Sequence, residues 1–174
     1  MNGNTEIIEA IPIDFSDSDA IKQKIENFAV NFAYSDVEYA LIISQDGQAY
    51  TLAGTDVSVD VSIIGEDVLI GSIGIHTHPV SPGQTMGDSF SRTDLYIATN
   101  YNQGKQFLVS GERRNAFEFA KAYTEDEIYS AWVAAENKLF DRGFSGTLFI
   151  EWWHEEVMKI LDQDLEGFSY YEDF

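Results

Sequence analysis

A short apolar strand that runs directly into two histidines is the feature that most constrains the fold of this chain. Residues 70–75 (IGSIGI) have the composition of a buried strand, and residues 76–79 (HTHP) continue it to a proline. Because side chains alternate along a strand, His76 and His78 point to the same face. Both imidazoles can therefore reach one metal ion at the end of a buried strand.

A second motif, residues 91–94 (SRTD), follows a loop rich in Pro, Gly, Ser and Asp. Ser91 has the position of a helix N-cap, and Asp94 lies three residues into that helix. Helix capping alone explains both residues. Beside the two histidines, however, Asp94 also offers a carboxylate as a third ligand. Two nitrogens, one oxygen and an open fourth position are typical of a catalytic zinc site.

Other metal-binding arrangements fit the spacing less well. A cupin has a glutamate shortly after H-x-H, and residues 80–84 contain none. A metallo-β-lactamase has H-x-H-x-D-H, whereas residues 79–81 are PVS here. The two-histidine, one-carboxylate set of Fe(II) oxygenases stays chemically open, although its carboxylate usually stands beside the first histidine. His154 opens H-E-E-V-M rather than the zincin H-E-x-x-H, so we expect it to be structural.

Together these residues resemble the signature of the JAMM (MPN-plus, JAB) metalloproteases, in which an upstream glutamate is followed by H-x-H-P and S-x-x-D. The resemblance implies three zinc ligands: His76, His78 and Asp94. It also implies two catalytic residues. Ser91 would help to stabilise the tetrahedral intermediate, and Glu38, opening a predicted strand ahead of a turn at 45–47, would act as general acid/base. Glu66 is the fallback for that second role.

The resemblance covers residues 36–123 and extends to a JAB-like branch found in bacterial polymorphic toxins. The gap between Pro79 and Ser91 is about five residues longer than is usual in the family, which costs little closure entropy, since that cost grows only logarithmically with loop length. We expect this insertion to line the substrate groove. The implied fold class is α/β (α+β): a single domain with a central mixed β-sheet flanked by helices. Residues 1–123 would form the JAMM/MPN-like catalytic part, and 124–174 a C-terminal helical extension packed on it.

The implied activity is zinc-dependent hydrolysis of amide bonds, as a metallopeptidase or isopeptidase. Its partners would be protein or peptide substrates, with ubiquitin-like conjugates as the best-known class in the family. Two alternatives stay open. The chain could be a non-catalytic MPN-like binding module, or an acidic decoy or immunity-type protein that binds a basic partner.

Charge and composition narrow the class of partner. The 174 residues favour one domain, and the net charge of −20 repels nucleic-acid phosphates and anionic lipid. The chain has no cysteine, which excludes a disulfide framework and a thiolate metal site. It contains no run of 18 apolar residues, and residues 1–14 do not resemble a signal peptide. We therefore expect no membrane span and a cytoplasmic location, with secretion in a toxin system left open.

Hydrophobic periodicity and capping signals predict the remaining elements. Helices are expected from the cap Asp17 to Tyr34, over 93–101, from Thr124 to Asp141 and over 148–162. Strands are expected over 38–44, 48–52, 58–63, 68–75, 106–110 and 116–121. The tail 162–174 alternates acids with aromatic residues. We expect a loose terminus whose aromatics pack on the body, or a peptide that lies in the substrate groove.

Overall fold

The computed structural model describes residues 5–80, 89–144 and 150–174. Within these ranges the helices are α1 (Ser18–Phe32), α2 (Glu66–Leu69), α3 (Arg92–Asn100), α4 (Glu125–Asp141) and α5 (Ile150–Asp164), with a 3-10 helix at Val61–Ile64. The strands are β1 (Glu6–Pro12), β2 (Tyr39–Ile43), β3 (Gln48–Ala53), β4 (Ile73–Thr77), β5 (Lys105–Ser110), β6 (Arg113–Phe119) and β7 (Phe168–Glu172).

The described strands form one mixed sheet in the order β1-β3-β2-β4-β5-β6-β7. Only β4 and β5 pair in parallel among them, and α3 lies between these two strands in the chain. The mixed α+β class predicted from the sequence is confirmed. Such a parallel pair needs a crossover connection. The helix α3 forms this crossover, so it begins near the end of β4 and leads to the start of β5.

Apolar side chains cover both faces of the sheet. On one face α1 packs through Ile25 and Phe28 against a core that includes Ile75 of β4. On the other face α3, α4, α5 and β5–β7 share a second core, which includes Phe90 and Leu108. The C-terminal residues therefore contribute to the same core as the middle of the chain. The division into a catalytic part ending at 123 and an extension stays a prediction.

A network of charged side chains joins the C-terminal elements to β6. Glu155 of α5, 7% exposed, accepts hydrogen bonds from Arg113 of β6 and from Lys159. Burial would raise the pKa of the Glu155 carboxyl, but the hydrogen bonds from Lys159 and Arg113 outweigh it and lower that pKa. Glu155 is therefore ionised at neutral pH and ties α5 to the sheet.

Two predicted strands are wrong in whole or in part. The segment 58–63 enters the 3-10 helix at Val61, because the side chain of Asp60 caps that turn by accepting from the N–H of Ser62. The segment 68–75 begins within α2, and its strand starts only at Ile73. Gly71 has a φ of +69°, and this left-handed backbone interrupts the predicted strand between α2 and Ile73. Gly65, with a φ of +98°, separates the 3-10 helix from α2.

The two edge strands were not predicted. Residues Glu6–Pro12 form β1 along β3, and the tail forms β7 antiparallel to β6. The expectation of a loose terminus is therefore wrong for Phe168–Glu172. Beyond β7 the ring of Phe174 packs edge-on against Phe107, with centroids 4.7 Å apart, so the aromatic residues do pack on the body. The predicted start of the last helix, 148–149, lies outside the described residues.

None of the described helices is both long enough and apolar enough to cross a lipid bilayer.

Candidate metal centre

The two histidines lie on β4 and just beyond its end. His76 is within β4, and the backbone of His78 is held by β5: its N–H donates to the carbonyl of Val109 (3.1 Å), and its carbonyl accepts from the Ser110 hydroxyl (3.2 Å). The two Nε2 atoms lie 3.2 Å apart. The alternation predicted from the sequence therefore brings both imidazoles to one point on the sheet face.

Asp94 reaches the histidines from the first turn of α3, and its two oxygens have different partners. Oδ2 accepts from the backbone N–H (2.6 Å) and the hydroxyl (2.8 Å) of Ser91, while the N–H of Asp94 donates to Ser91 Oγ (3.4 Å). This is a capping box with aspartate in the third position. Oδ1 is directed to the other side, 3.4 Å from His76 Nε2. One carboxylate thus caps the helix and faces the histidines at the same time.

Phe90 fixes the start of α3 against the sheet. Its side chain is fully buried, with its ring 4.7 Å from that of Phe117 on β6 and 5.9 Å from the imidazole of His76. Phe90 directly precedes the N-cap, and Leu95, the fourth residue of the helix, lies buried in the same core. This is the arrangement of a hydrophobic staple, which sets the angle at which a chain enters a helix.

The separations between the ligand atoms fit a single small cation. One ligand atom from each of His76, His78 and Asp94 lies within 4.8 Å of the other two. Two ligands of a tetrahedral zinc ion, each bonded at about 2.0–2.1 Å, lie about 3.3–3.4 Å apart. The separations of 3.2 Å and 3.4 Å from His76 Nε2 are close to that value. Two of the three separations therefore match those in a zinc site, and the three residues could hold a small divalent cation such as zinc.

The protonation states also suit metal binding. Burial, with a smaller contribution from His78, lowers the pKa of His76 to about 4 against the opposing effect of the Asp94 charge. Its imidazole is therefore neutral at pH 7, as a ligand nitrogen must be. Burial would raise the pKa of Asp94, but the two imidazoles and the hydrogen bonds from Ser91 hold it below its usual range. Asp94 is therefore an anion.

Glu38 lines the same cavity as the three ligands, together with Ser91. It directly precedes β2, whose Ala40 pairs with His76 in the antiparallel register. The pairing of β2 with β4 ends at Ala40 and His76, and Glu38 lies two residues before Ala40 in the chain. The N–H of Tyr39 donates to the buried hydroxyl of Thr77 (2.9 Å), which ties the start of β2 to the end of β4.

The remaining predicted site residues lie elsewhere. Glu66 is exposed at the start of α2 and does not line the cavity, so it is not supported as an alternative to Glu38. His154 of α5 packs edge-on against Trp132 of α4 and does not line the cavity. No described tail residue lines the cavity, so occlusion by 162–174 is not supported. The predicted groove insertion includes 81–88, which lie outside the described residues.

Sequence reasoning missed two buried glutamines in the cavity wall, Gln103 and Gln106. Gln106 is a polar residue at a buried position of β5, and only the pairing of β5 with β4 places it opposite Gly74, beside His76. The local sequence carries no signal for this placement.

Comparisons with known proteins add no relative: no family model, no curated protein and no solved structure matches the chain.

Proposed function

We propose that this protein is a zinc-dependent hydrolase of amide bonds, a JAMM-like metallopeptidase or isopeptidase. One observation carries the proposal: a single cavity is lined by a carboxylate, Glu38, and by three side chains whose ligand atoms converge within 4.8 Å. A ligand cluster alone is not specific. Two imidazoles and one carboxylate beside an additional acid form a set that suits metal-assisted hydrolysis.

Each residue has a distinct task in this reaction. His76, His78 and Asp94 would hold the ion, and a bound zinc ion would lower the pKa of a water molecule from 15.7 to about 7. The Glu38 carboxylate would serve as general base toward the attacking water and as general acid toward the leaving amine. Ser91 holds Asp94 in place, because its hydroxyl donates to Asp94 Oδ2. Donation from Ser91 to the reacting carbonyl oxygen requires its hydroxyl to rotate away from Asp94.

The proposed substrates are proteins or peptides, including ubiquitin-like conjugates. The net charge of −20 opposes polyanionic substrates and favours neutral or basic ones. This choice among protein substrates rests on the resemblance to the JAMM family.

Metal analysis combined with hydrolysis tests the proposal. The purified protein should contain about one zinc per chain, as the three-ligand site requires. His78→Ala should lose most of it, whereas His154→Ala, which removes the only histidine outside the cluster, should retain it. Glu38→Gln should keep zinc and lose peptide or isopeptide cleavage by about 10²–10⁴-fold.

Three results would count against this function. Equal zinc content in His78→Ala and in the unchanged protein would exclude the metal centre. Full activity in Glu38→Gln would exclude the assigned proton transfer. Zinc binding without cleavage across peptide and isopeptide libraries would favour a non-catalytic MPN-like module.

The high negative charge supports a second candidate, an acidic decoy or immunity-type protein that binds a basic partner. Binding to such a partner that persists in His76→Ala and in His78→Ala would favour this candidate. Binding that is lost with the metal would favour the hydrolase.

A further inference from the structure

The cavity lined by His76, His78 and Asp94 has a volume of about 300 Å³ and extends beyond these three side chains. This volume lies at the lower end for ligand sites and suits one or two residues of a polypeptide rather than a folded partner. Its apolar lining comes mainly from β2, α3, the segment before the 3-10 helix and the first residue of that helix. These side chains are Ala40, Ile42, Val57, Val59, Val61 and Ile97.

A chain of hydrogen bonds fixes the orientation of the two glutamine amides at the inner end. The Ser72 hydroxyl donates to the carbonyl of Leu69 (2.8 Å), which can only accept. Ser72 Oγ therefore accepts from Gln103 Nε2 (2.8 Å), and Gln103 Oε1 accepts from Gln106 Nε2. The last member of the chain is Gln106 Oε1, so the cavity wall ends in a hydrogen-bond acceptor.

Gly74 allows that amide to lie next to the metal cluster. Gly74 pairs with Gln106 and lies two residues before His76, on the same face. A Cβ atom at Gly74 would lie only 2.4 Å from Gln106 Oε1, so a larger residue would displace the amide. The acceptor is therefore built into the sheet beside His76.

The charges of the cavity are all negative. Glu38 and Asp94 line it, and no described lysine or arginine does. The guanidinium of Arg92, the nearest arginine in sequence to the ligands, lies over the rings of Tyr96 (5.8 Å) and Tyr129 (5.2 Å). Residues 81–88 contain no lysine or arginine in their sequence. Apart from a bound metal ion, a substrate carboxylate therefore has no cationic partner among the described side chains of the cavity.

We propose that this cavity binds a medium-sized aliphatic residue within a polypeptide, with a substrate N–H donating to Gln106 Oε1, and rejects a free carboxylate at that position. Given the proposed function, this makes the protein an endopeptidase or isopeptidase that cleaves next to an aliphatic residue, and not a carboxypeptidase. The assignment of the scissile bond rests on the proposed function. The binding preference itself does not.

Binding of blocked amino acids tests the preference without catalysis. The metal-free protein, prepared with a chelator, is titrated with acetyl-leucinamide, acetyl-glutaminamide and acetyl-leucine. Circular dichroism checks the fold, and NMR identifies the backbone amides that each compound perturbs. Acetyl-leucinamide should bind about tenfold more tightly than either of the others, which corresponds to about 1.4 kcal/mol. If acetyl-glutaminamide binds as tightly as acetyl-leucinamide, the aliphatic preference is overturned. If acetyl-leucine binds as tightly as acetyl-leucinamide, the rejection of a carboxylate is overturned.

A matched pair of surface variants locates the binding. Val57 lines the cavity and is 76% exposed, while Val30 of α1 is 78% exposed and does not line it. Val57→Asp should weaken acetyl-leucinamide binding several-fold, and Val30→Asp should leave it unchanged. Equal effects of the two variants would overturn the assignment to this cavity. Selective binding without any peptide cleavage would overturn the proposed hydrolase and leave the cavity preference standing.

Discussion

Replacing Ser91 by alanine separates helix capping from the positioning of Asp94 as a proposed metal ligand. The change removes the 2.8 Å hydrogen bond from the hydroxyl to Asp94 Oδ2 and the acceptor for the N–H of Asp94. It leaves the 2.6 Å bond from the Ser91 backbone N–H to Asp94. Loss of the cap should lower the free energy of unfolding by about 1 kcal/mol. Looser positioning of the carboxylate should weaken metal binding by about 10–100-fold.

The chain contains a control for this experiment in a second capping box. At the start of α4, Thr124 Oγ1 donates to Glu127 Oε2 (3.0 Å) and accepts from the N–H of Glu127 (3.2 Å). Neither residue belongs to the metal cluster. Thr124→Ala should therefore lose a similar free energy of unfolding, about 1 kcal/mol, and leave metal affinity unchanged.

Two measurements on each variant complete the test. Urea unfolding of the chelated proteins gives the stability change, and competition with a chromophoric chelator gives the zinc affinity. Ser91→Thr, which keeps the hydroxyl, should retain both the stability and the zinc affinity of the unchanged protein. Wild-type zinc affinity in Ser91→Ala would refute the positioning role. Equal loss of affinity in Thr124→Ala would show that the effect arises from stability alone.

Three further predictions concern the core, a buried charge and the sheet beside the cavity. Phe90→Ala should cost about 3–5 kcal/mol in urea unfolding, because the ring is fully buried, and should also weaken zinc binding in the chelator competition. The Glu155 carboxylate stabilises the fold above its ordinary pKa of 4.5, and this contribution is lost as the pH falls through its lowered pKa. Glu155→Gln removes the contribution, so the unfolding free energy of this variant should depend less on pH in acid. Gly74→Ala should cost about 1–3 kcal/mol by displacing the buried Gln106 amide, and an unchanged stability would contradict the close contact.

Local signals predicted the elements whose ends are set by neighbouring residues. The turn at 45–47 and the apolar run before it placed β2 and β3 within a residue or two. The capping box at Thr124 placed the start of α4. In these places the hydrogen bonds that begin or end the element come from side chains a few residues away, so the sequence contains the information.

Long-range pairing determined the elements that were missed. Most of β1 is exposed, so its residues show no alternation, and its extended form depends on pairing with β3, which begins 36 residues beyond the end of β1. The segment 58–63 is rich in β-branched residues but has no strand partner in the described sheet, and it forms a turn capped by Asp60 instead. β propensity alone does not make a strand without a neighbour.

The site shows the same division between local and long-range information. Sequence spacing identified His76, His78 and Asp94, because alternation and helix periodicity are local rules. Capping and metal binding were competing interpretations of Asp94, yet the structure makes them compatible, since Oδ2 binds Ser91 while Oδ1 faces His76. A carboxylate used in this way is oriented by the helix before any metal binds. If Asp94 is a metal ligand, the capping box reduces the reorganisation that metal binding requires. The stability and the zinc affinity of Ser91 variants should then change together, whereas in Thr124 variants only the stability should change.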